Sequence, residues 1–258
     1  MKSVNLSAVI ITLNEEKNIG RCIDSLTGIA DEILVVDSFS TDATESICLS
    51  KGARFIQNKF EGHIQQQNFA KEQASYDFII SVDADEALSP ELRASILEAK
   101  SNWHADAFQV NRLTQYCGQW IHHCGWYPDR NIRVWDRTKG KWAGENPHNK
   151  IVMENSCVIE KLKGDLLHYS FPTIASHLQT MNSFSEIASR EAIRKGKRVN
   201  LIIHVVGNPI FTFVKKYFLQ KGFLDGYYGF VICVNSAFAN FSKYSRIYAM
   251  QRKRDQDS

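Results

Sequence analysis

Phe78-Ile79-Ile80-Ser81-Val82-Asp83-Ala84-Asp85-Glu86 joins an apolar run to a cluster of acids. Its apolar run has the length of a buried strand, and it stops at two carboxylates spaced i, i+2. In α/β proteins such a strand ends at the rim of a parallel sheet, where ligands bind. Alternation along an extended chain puts Asp83 and Asp85 on one side. Two carboxylates there repel each other unless a cation sits near them. Hard oxygen ligands at a partly open site suit Mg²⁺ or Mn²⁺, and an ion so held usually also binds a diphosphate. A loop of solvated acids after a strand is the plain alternative.

Upstream, strand and helix alternate. Ala8–Leu13 reads as a strand, with Asn14-Glu15-Glu16 after it as a helix cap. Ile19, Cys22, Ile23 and Leu26 mark one helical face, which Gly28 ends. Ile33–Val36 is a second strand and stops at Asp37. Ser40 or Thr41 is placed to cap a helix through Ser50. Arg54–Ile56 is a short third strand, Gln65–Ala74 a helix and Phe78–Val82 the fourth strand. The βαβαβαβ order predicts an α/β fold with a mostly parallel, Rossmann-like sheet and helices on both faces.

Downstream, Pro90 opens a helix carrying Leu92, Ile96 and Leu97. Short strands are expected at Ala107–Asn111, Asn131–Trp135, Lys150–Met153 and Cys157–Glu160. Thr173 or a neighbour caps a long amphipathic helix that ends near Gly196. The 258 residues suffice for a large core, and 44% apolar with 23% charged residues is ordinary for a folded domain. The net charge of +3 conceals an asymmetry. Residues 1–190 carry 19 Lys+Arg and 24 Asp+Glu, whereas 191–258 carry 12 and 4. The six cysteines form no CxxC, and Met1–Ala8 is no apolar leader, so reduced thiols in the cytoplasm are expected. Cys117, His122, His123 and Cys124 match no structural zinc spacing. No run reaches the roughly 18–20 apolar residues of a membrane span.

The ends of the first, second and fourth strands carry Thr12-Leu13-Asn14-Glu15, Asp37 and Asp83-Ala84-Asp85. In a parallel sheet these converge on one rim, and three polar strand ends there exceed what a fold needs. Asp37 can accept hydrogen bonds from a base or ribose, or can cap the following turn.

Ala8–Glu16 (AVIITLNEE), Ile33–Thr44 (ILVVDSFSTDAT) and Phe78–Glu86 (FIISVDADE) resemble family 2 glycosyltransferases of the GT-A fold, over about residues 5–170. Gly125–Arg130, Ile132–Trp135 and Leu167-His168-Tyr169 resemble the branch that adds glucose, in β-1,4 linkage, to the lipopolysaccharide inner core. The resemblance implies an inverting, metal-dependent hexosyl transfer from a UDP-sugar such as UDP-glucose, with Mg²⁺ or Mn²⁺. It divides the chain into a GT-A domain, 1–170, and a C-terminal helical extension, 171–258. Residues 1–100 of the domain bind the nucleotide sugar and 101–170 face the acceptor. It assigns Thr12, Asn14, Glu15, Asp37 and Asp83 to the donor nucleotide, and Asp83 and Asp85 (the DxD pair) with His168 to the metal. A buried structural histidine is the alternative for His168.

An inverting transfer needs one base for the acceptor hydroxyl. Asp129, in the turn Trp126-Tyr127-Pro128-Asp129, and Glu145 are the two candidates. Relatives usually carry His-Glu near the second point, where this chain has His148-Asn149. Asp37-Ser38-Phe39 also departs from the commoner pair of acids with glycine. Arg130 and Arg133 offer a phosphate-binding fork, with plain solvated arginines as the alternative, the favoured reading for either one alone.

The tail interleaves Lys215, Lys216, Lys221, Lys243 and Arg252-Lys253-Arg254 with aromatics. Such segments meet anionic membrane surfaces, and a lipid-linked glycan acceptor on the cytoplasmic face of the inner membrane would account for it. An oligomer interface is the alternative, and no nucleic-acid module accompanies the tail. Two other functions use a similar scaffold. A nucleotidyltransferase would carry a Gly-rich basic loop where Leu13–Glu16 is acidic, and a non-catalytic nucleotide-sugar or glycan-binding protein would not need Asp83 and Asp85.

Overall fold

A computed structural model describes residues 3–145 and 148–256. The elements in order are β1 (Leu6–Thr12), α1 (Ile19–Leu26), β2 (Glu32–Asp37), α2 (Thr44–Ser50), β3 (Arg54–Gln57), α3 (His63–Gln73), β4 (Phe78–Asp83), β5 (Glu86–Leu88), α4 (Pro90–Ser101), β6 (Ala107–Tyr116), β7 (Gln119–Trp120), β8 (Asp129–Asp136), β9 (Gly140–Glu145), β10 (His148–Met153), β11 (Ile159–Phe171), α5 (Ile174–Arg194), α6 (Asn208–Val214) and α7 (Gly226–Gln256). They fall into two compact units, Met1–Leu113 with Asp129–Tyr169, and Thr114–Pro128 with Ser170–Ser258.

In the first unit the sheet runs β3-β2-β1-β4-β8-β6-β11-β5. The β3-β2-β1-β4 block is parallel throughout. β8 then joins β4 antiparallel, β6 joins β8 antiparallel, and β5 pairs antiparallel with β11. Alternate residues of one strand feed opposite cores. Leu6, Ala8, Ile10, Ile80 and Val82 pack with Ile19, Cys22, Ile23 and Leu26 of α1 and with Leu92 and Ile96 of α4. Val9, Leu34, Val36 and Ile79 pack with Ala70 of α3 and with Trp135, Trp142 and Ile151. Burial on both faces explains why β1 and β4 read as largely apolar runs. The polar Ser81 within β4 is met by Trp135, whose Nε1–H donates to Ser81 Oγ at 3.2 Å.

Two helix starts differ from expectation. α1 begins at Ile19 behind Asn18, and α2 at Thr44 behind Ala43, neither with a side-chain cap. Asn14, Ser40 and Thr41 instead hold loops. The strands of the second half are longer than their apolar cores suggest; β11 extends over 13 residues.

The second unit includes 114–128, a segment the sequence reading assigned to the first domain. Its Tyr116, Ile121 and Cys124 are buried with Ile232 and Cys233 of α7. β7 folds back on the end of β6 through Cys117-Gly118, both left-handed (φ 50° and 86°), as a two-residue hairpin turn requires. α5 starts with a capping box between Thr173 and Ser176. From Leu201 to Leu219 the helix is continuous, with π-helical turns at Leu201–Gly207 and Lys215–Leu219 on either side of α6. Pro209 lacks an N–H and crowds the carbonyl four residues back; the wider π turn up to Gly207 accommodates it. Among the described residues no helix is long and apolar enough to cross a membrane.

Gly164 of β11 lies against the first turn of α4, at φ 84°, where a Cβ would collide with the backbone of Glu91 and Leu92. Gly164→Ala should therefore lower stability by more than about 1 kcal/mol, read as a reduced urea midpoint with an unchanged denaturant slope.

Candidate active site

The parallel block brings three strand ends together. Thr12 pairs in register with Asp37, and Ile11 with Asp83. Thr12 is buried at the end of β1, and its Oγ1 has no hydrogen-bond partner among the described residues. Asn14 adopts φ 55°; its N–H donates to Ser40 Oγ at 2.7 Å, and its Oδ1 accepts from Thr41 N–H at 2.8 Å. Glu15 N–H donates to Thr44 Oγ1 at 2.9 Å. These bonds lace the loop after β1 to the loop after β2. Burial raises the Glu15 carboxyl above its usual range; Asn18 opposes this, and the nearby Asp85 charge adds to it.

Asp37 is fully buried, accepting from Ser40 N–H at 2.8 Å and Ser40 Oγ–H at 2.5 Å. Its carboxylate thus fixes its own turn. Phe39 lies exposed within that turn at φ 64°, a left-handed conformation that a bulky side chain adopts at a cost.

The β4–β5 connection is the two residues Ala84-Asp85, so Asp83 ends one strand, Asp85 sits in the turn and Glu86 opens the next. Glu86 is fully buried. Its Oε2 accepts from Asp83 N–H at 2.9 Å, and its Oε1 lies 2.7 Å from Arg133 Nη2. Burial pushes its carboxyl up to about 7, against the pull of Arg133. Arg133 also reaches Asp83 Oδ2 and the Ser81 carbonyl, both at 3.3 Å. Gln67 of α3 donates to Asp83 Oδ1 at 3.2 Å. Asp85 is held separately, with His168 Nε2 3.2 Å from its Oδ2. Burial alone would raise the Asp85 carboxyl and lower the His168 imidazole. Their mutual contact outweighs it, leaving Asp85 below and His168 above its ordinary value.

Arg133 does not present the phosphate fork expected of it. Only 4% exposed, its guanidinium is a strut beneath the turn. Arg130, beside it in β8, is exposed. Asp129 opens β8 opposite Arg112. Arg112 Nε and Nη2 contact Asp129 Oδ2 at 2.9 and 2.7 Å, and Asn131 donates to Oδ1 at 3.0 Å. Arg112 Nη1 also lies 3.9 Å from Glu86 Oε1. One chain of charges thus joins Asp83, Arg133, Glu86, Arg112 and Asp129. Trp126, three residues before Asp129, belongs to the second unit and packs on Tyr116, Phe171 and His177. Glu145 ends β9 opposite His148, and its side chain lies outside the described residues.

Sequence reading passed over Glu86, Gln67 and Arg112. One signal was available: an arginine inside the apolar run Ile132-Arg133-Val134-Trp135 demands a buried acid. For a divalent cation, Asp83, Asp85 and His168 supply two carboxylates and an imidazole, a donor set compatible with Mn²⁺ or Mg²⁺. Among the described residues no group of three or more His, Cys, Asp or Glu side chains is placed to hold a metal ion, so Asp83 is not gathered with the Asp85–His168 pair into a three-ligand group; an ion bridging protein to diphosphate keeps water and phosphate ligands and needs fewer from the protein.

The strut has a measurable cost. Arg133→Met strands Glu86 in the interior and should destabilise the fold by about 3–5 kcal/mol. Adding Glu86→Gln should return more than half of that loss, both read from urea denaturation.

Residues 7–157 match Glycosyl transferase family 2. Across the chain, 31% of 255 residues are identical to the lipopolysaccharide core biosynthesis glycosyltransferase LpsC of Rhizobium meliloti, covering 94% of this chain and 92% of that protein. An uncharacterized glycosyltransferase of Rickettsia typhi is 29% identical over 258 residues, covering 96% of this chain and 88% of the other. A crystal structure of glucosyl-3-phosphoglycerate synthase from Mycobacterium tuberculosis with Mn²⁺, UDP and glucosyl-3-phosphoglycerate aligns with 43% of this chain and 44% of that one, at 25% identity and a TM-score of 0.37. The chain, with its mixed α/β sheet, belongs to glycosyltransferase family 2.

Proposed function

We propose that this glycosyltransferase moves glucose from UDP-glucose, with inversion, to a lipid-linked glycan of the lipopolysaccharide-core type. The observation that carries the reading is the β4–β5 turn. It sets Asp83 and Asp85 at the rim where β1 and β2 also end, with its backbone pinned from beneath by Glu86. The likeness to LpsC over almost the whole chain supports the acceptor class.

Asp85, His168 and Asp83 would hold Mg²⁺ or Mn²⁺, which supplies neutralisation of the charge developing on the departing diphosphate. The Asp85–His168 contact keeps that carboxylate ionised, the form a cation needs. Thr12 offers the donor an unpaired hydroxyl. Asn14 and Glu15 shape the nucleotide side of the rim through their bonds to Ser40 and Thr44. Asp37 would reach a ribose or base by exchanging the Ser40 hydroxyl for a nucleoside hydroxyl. Arg130 faces solvent and serves as a free cation for phosphate, while Arg133 positions Asp83.

For the base we assign Asp129. Arg112 and Asn131 fix its orientation, leaving it to take the proton of the attacking hydroxyl. Glu145 is the other candidate. Asp129→Asn should cut kcat for transfer to a core-oligosaccharide acceptor by about 10²-fold or more, with KM for UDP-glucose little changed. Full activity in Asp129→Asn together with loss in Glu145→Gln would move the base to Glu145. Transfer from a GDP- or ADP-sugar but not from a UDP-sugar would overturn the donor.

A further inference from the structure

The second unit carries an apolar surface that the reaction does not use. Along the helix from Leu201 to Leu219, Ile202, Val206, Ile210, Val214 and Phe218 recur every fourth residue, and all are exposed, Ile202 at 74%. Ile203, Phe211 and Leu219 widen the stripe by one residue each, Leu219 being 72% exposed. An α-helix turns in about 3.6 residues, so a repeat of four drifts forward around it. A π turn closes one residue later and drifts the repeat back. The alternation of π, α and π geometry over 201–219 therefore keeps spacing-four residues on one side. α7 packs along α6 and bears its own exposed series, Tyr227, Phe230, Val234, Phe238 and Phe241. One ring contact joins the two helices, Tyr217 to exposed Phe230 at 5.9 Å; Tyr217 also lies 5.1 Å from exposed Phe218 on its own helix and 6.1 Å from exposed Phe223 in the turn before α7.

Charge selects the occupant. Between Ala192 and Arg254 the sole acidic residue is Asp225, and twelve are Lys or Arg. Asp225 is buried, accepting from the His122 and His123 backbone N–H groups and paired with the His123 ring at 3.0 Å. Exposed Lys197 and Arg198 precede the stripe, and exposed Lys215 and Lys221 flank its aromatic end. Lys216 is not among these, because its Nζ–H donates to the Cys124 carbonyl at 2.8 Å. Against a second copy of this chain, a two-fold contact would set the same cations against each other with no carboxylate to offset them.

We propose that the 201–241 helical hairpin lies in the interface of an anionic lipid bilayer. The stripe of Ile202 to Leu219 and the ring cluster around Tyr217 would be sunk to acyl-chain depth, with Lys197, Arg198, Lys215 and Lys221 at the headgroups. The hairpin lies on the bilayer and does not span it, and apolar insertion carries the binding while the cations select the lipid. The inference stands independently of the donor and the reaction.

Flotation of the full chain with vesicles of phosphatidylcholine, with and without phosphatidylglycerol, tests it. Wild type should float with the phosphatidylglycerol vesicles and keep part of that binding in salt that screens surface charge. Ile203→Asn/Ile210→Asn/Phe211→Asn should reduce the bound fraction at least about tenfold with an unchanged far-UV circular dichroism spectrum and melting curve. The single variant Leu219→Asn should give a smaller loss in the same direction. Lys215→Glu/Lys221→Glu should erase the preference for phosphatidylglycerol. Wild type that stays with the unbound protein, a triple variant that floats as well as wild type, or a concentration-dependent dimer dispersed by the triple variant without vesicle binding would each overturn the proposal.

Discussion

The buried pair of Glu86 and Arg133 is the constraint on which the site depends. A carboxylate with no solvent exposure beside a guanidinium at 4% is an expensive arrangement. Desolvation of two charges is of the same order as their attraction, and apolar residues of equal volume would serve stability as well or better. The pair does something an apolar pair would not. One oxygen of Glu86 holds the Asp83 N–H while the other holds Arg133, which in turn reaches Asp83 Oδ2. The backbone and the side chain of the same aspartate are thus fixed from a single buried point. Through Arg112 the fixing extends to Asp129 on β8. A turn that presents carboxylates at a rim is floppy by default, and such support from behind holds reacting groups to sub-ångström tolerance.

Much of the parallel half was legible in the sequence because its strands are buried on both faces. Val9 and Ile10 point to opposite cores, and a polar residue enters only where a partner meets it, as Trp135 meets Ser81, so β1 and β4 stand out as largely apolar runs. Strand-end acids then follow from the topology, since parallel strands put their carboxyl ends on one side. The helix caps were less legible. Asn14, Ser40 and Thr41 have the chemistry of caps, but cap and loop-lacing bonds use the same short polar side chains. Only the three-dimensional neighbour decides between them, here the loop after β2 for Asn14 and Asp37 for Ser40.

The residues behind the site were hidden for another reason. Arg133, at the strand position between Ile132 and Val134, reads locally as a solvated or phosphate-binding arginine, because arginine is usually exposed. Its inward orientation depends on Glu86, 47 positions earlier, and no local pattern encodes that pairing. The packing of segment 114–128 is hidden likewise. Its Tyr116 and Cys124 find their partners in α7, more than a hundred residues on. In the helix of Leu201–Leu219, hydropathy is interrupted by His204, Gly207, Asn208 and Pro209 while the helix itself is not. A four-residue spacing is invisible to a search tuned to 3.6.

On the proposed function, the turn Asp83-Ala84-Asp85 would hold a divalent cation together with the donor's diphosphate. Calorimetric titration of UDP into the full chain, with Mn²⁺ and with a chelator, for wild type and Asp85→Ala, tests it most directly. UDP binding should require Mn²⁺ and be lost in Asp85→Ala. UDP binding of equal strength in the chelated protein or in Asp85→Ala would contradict it.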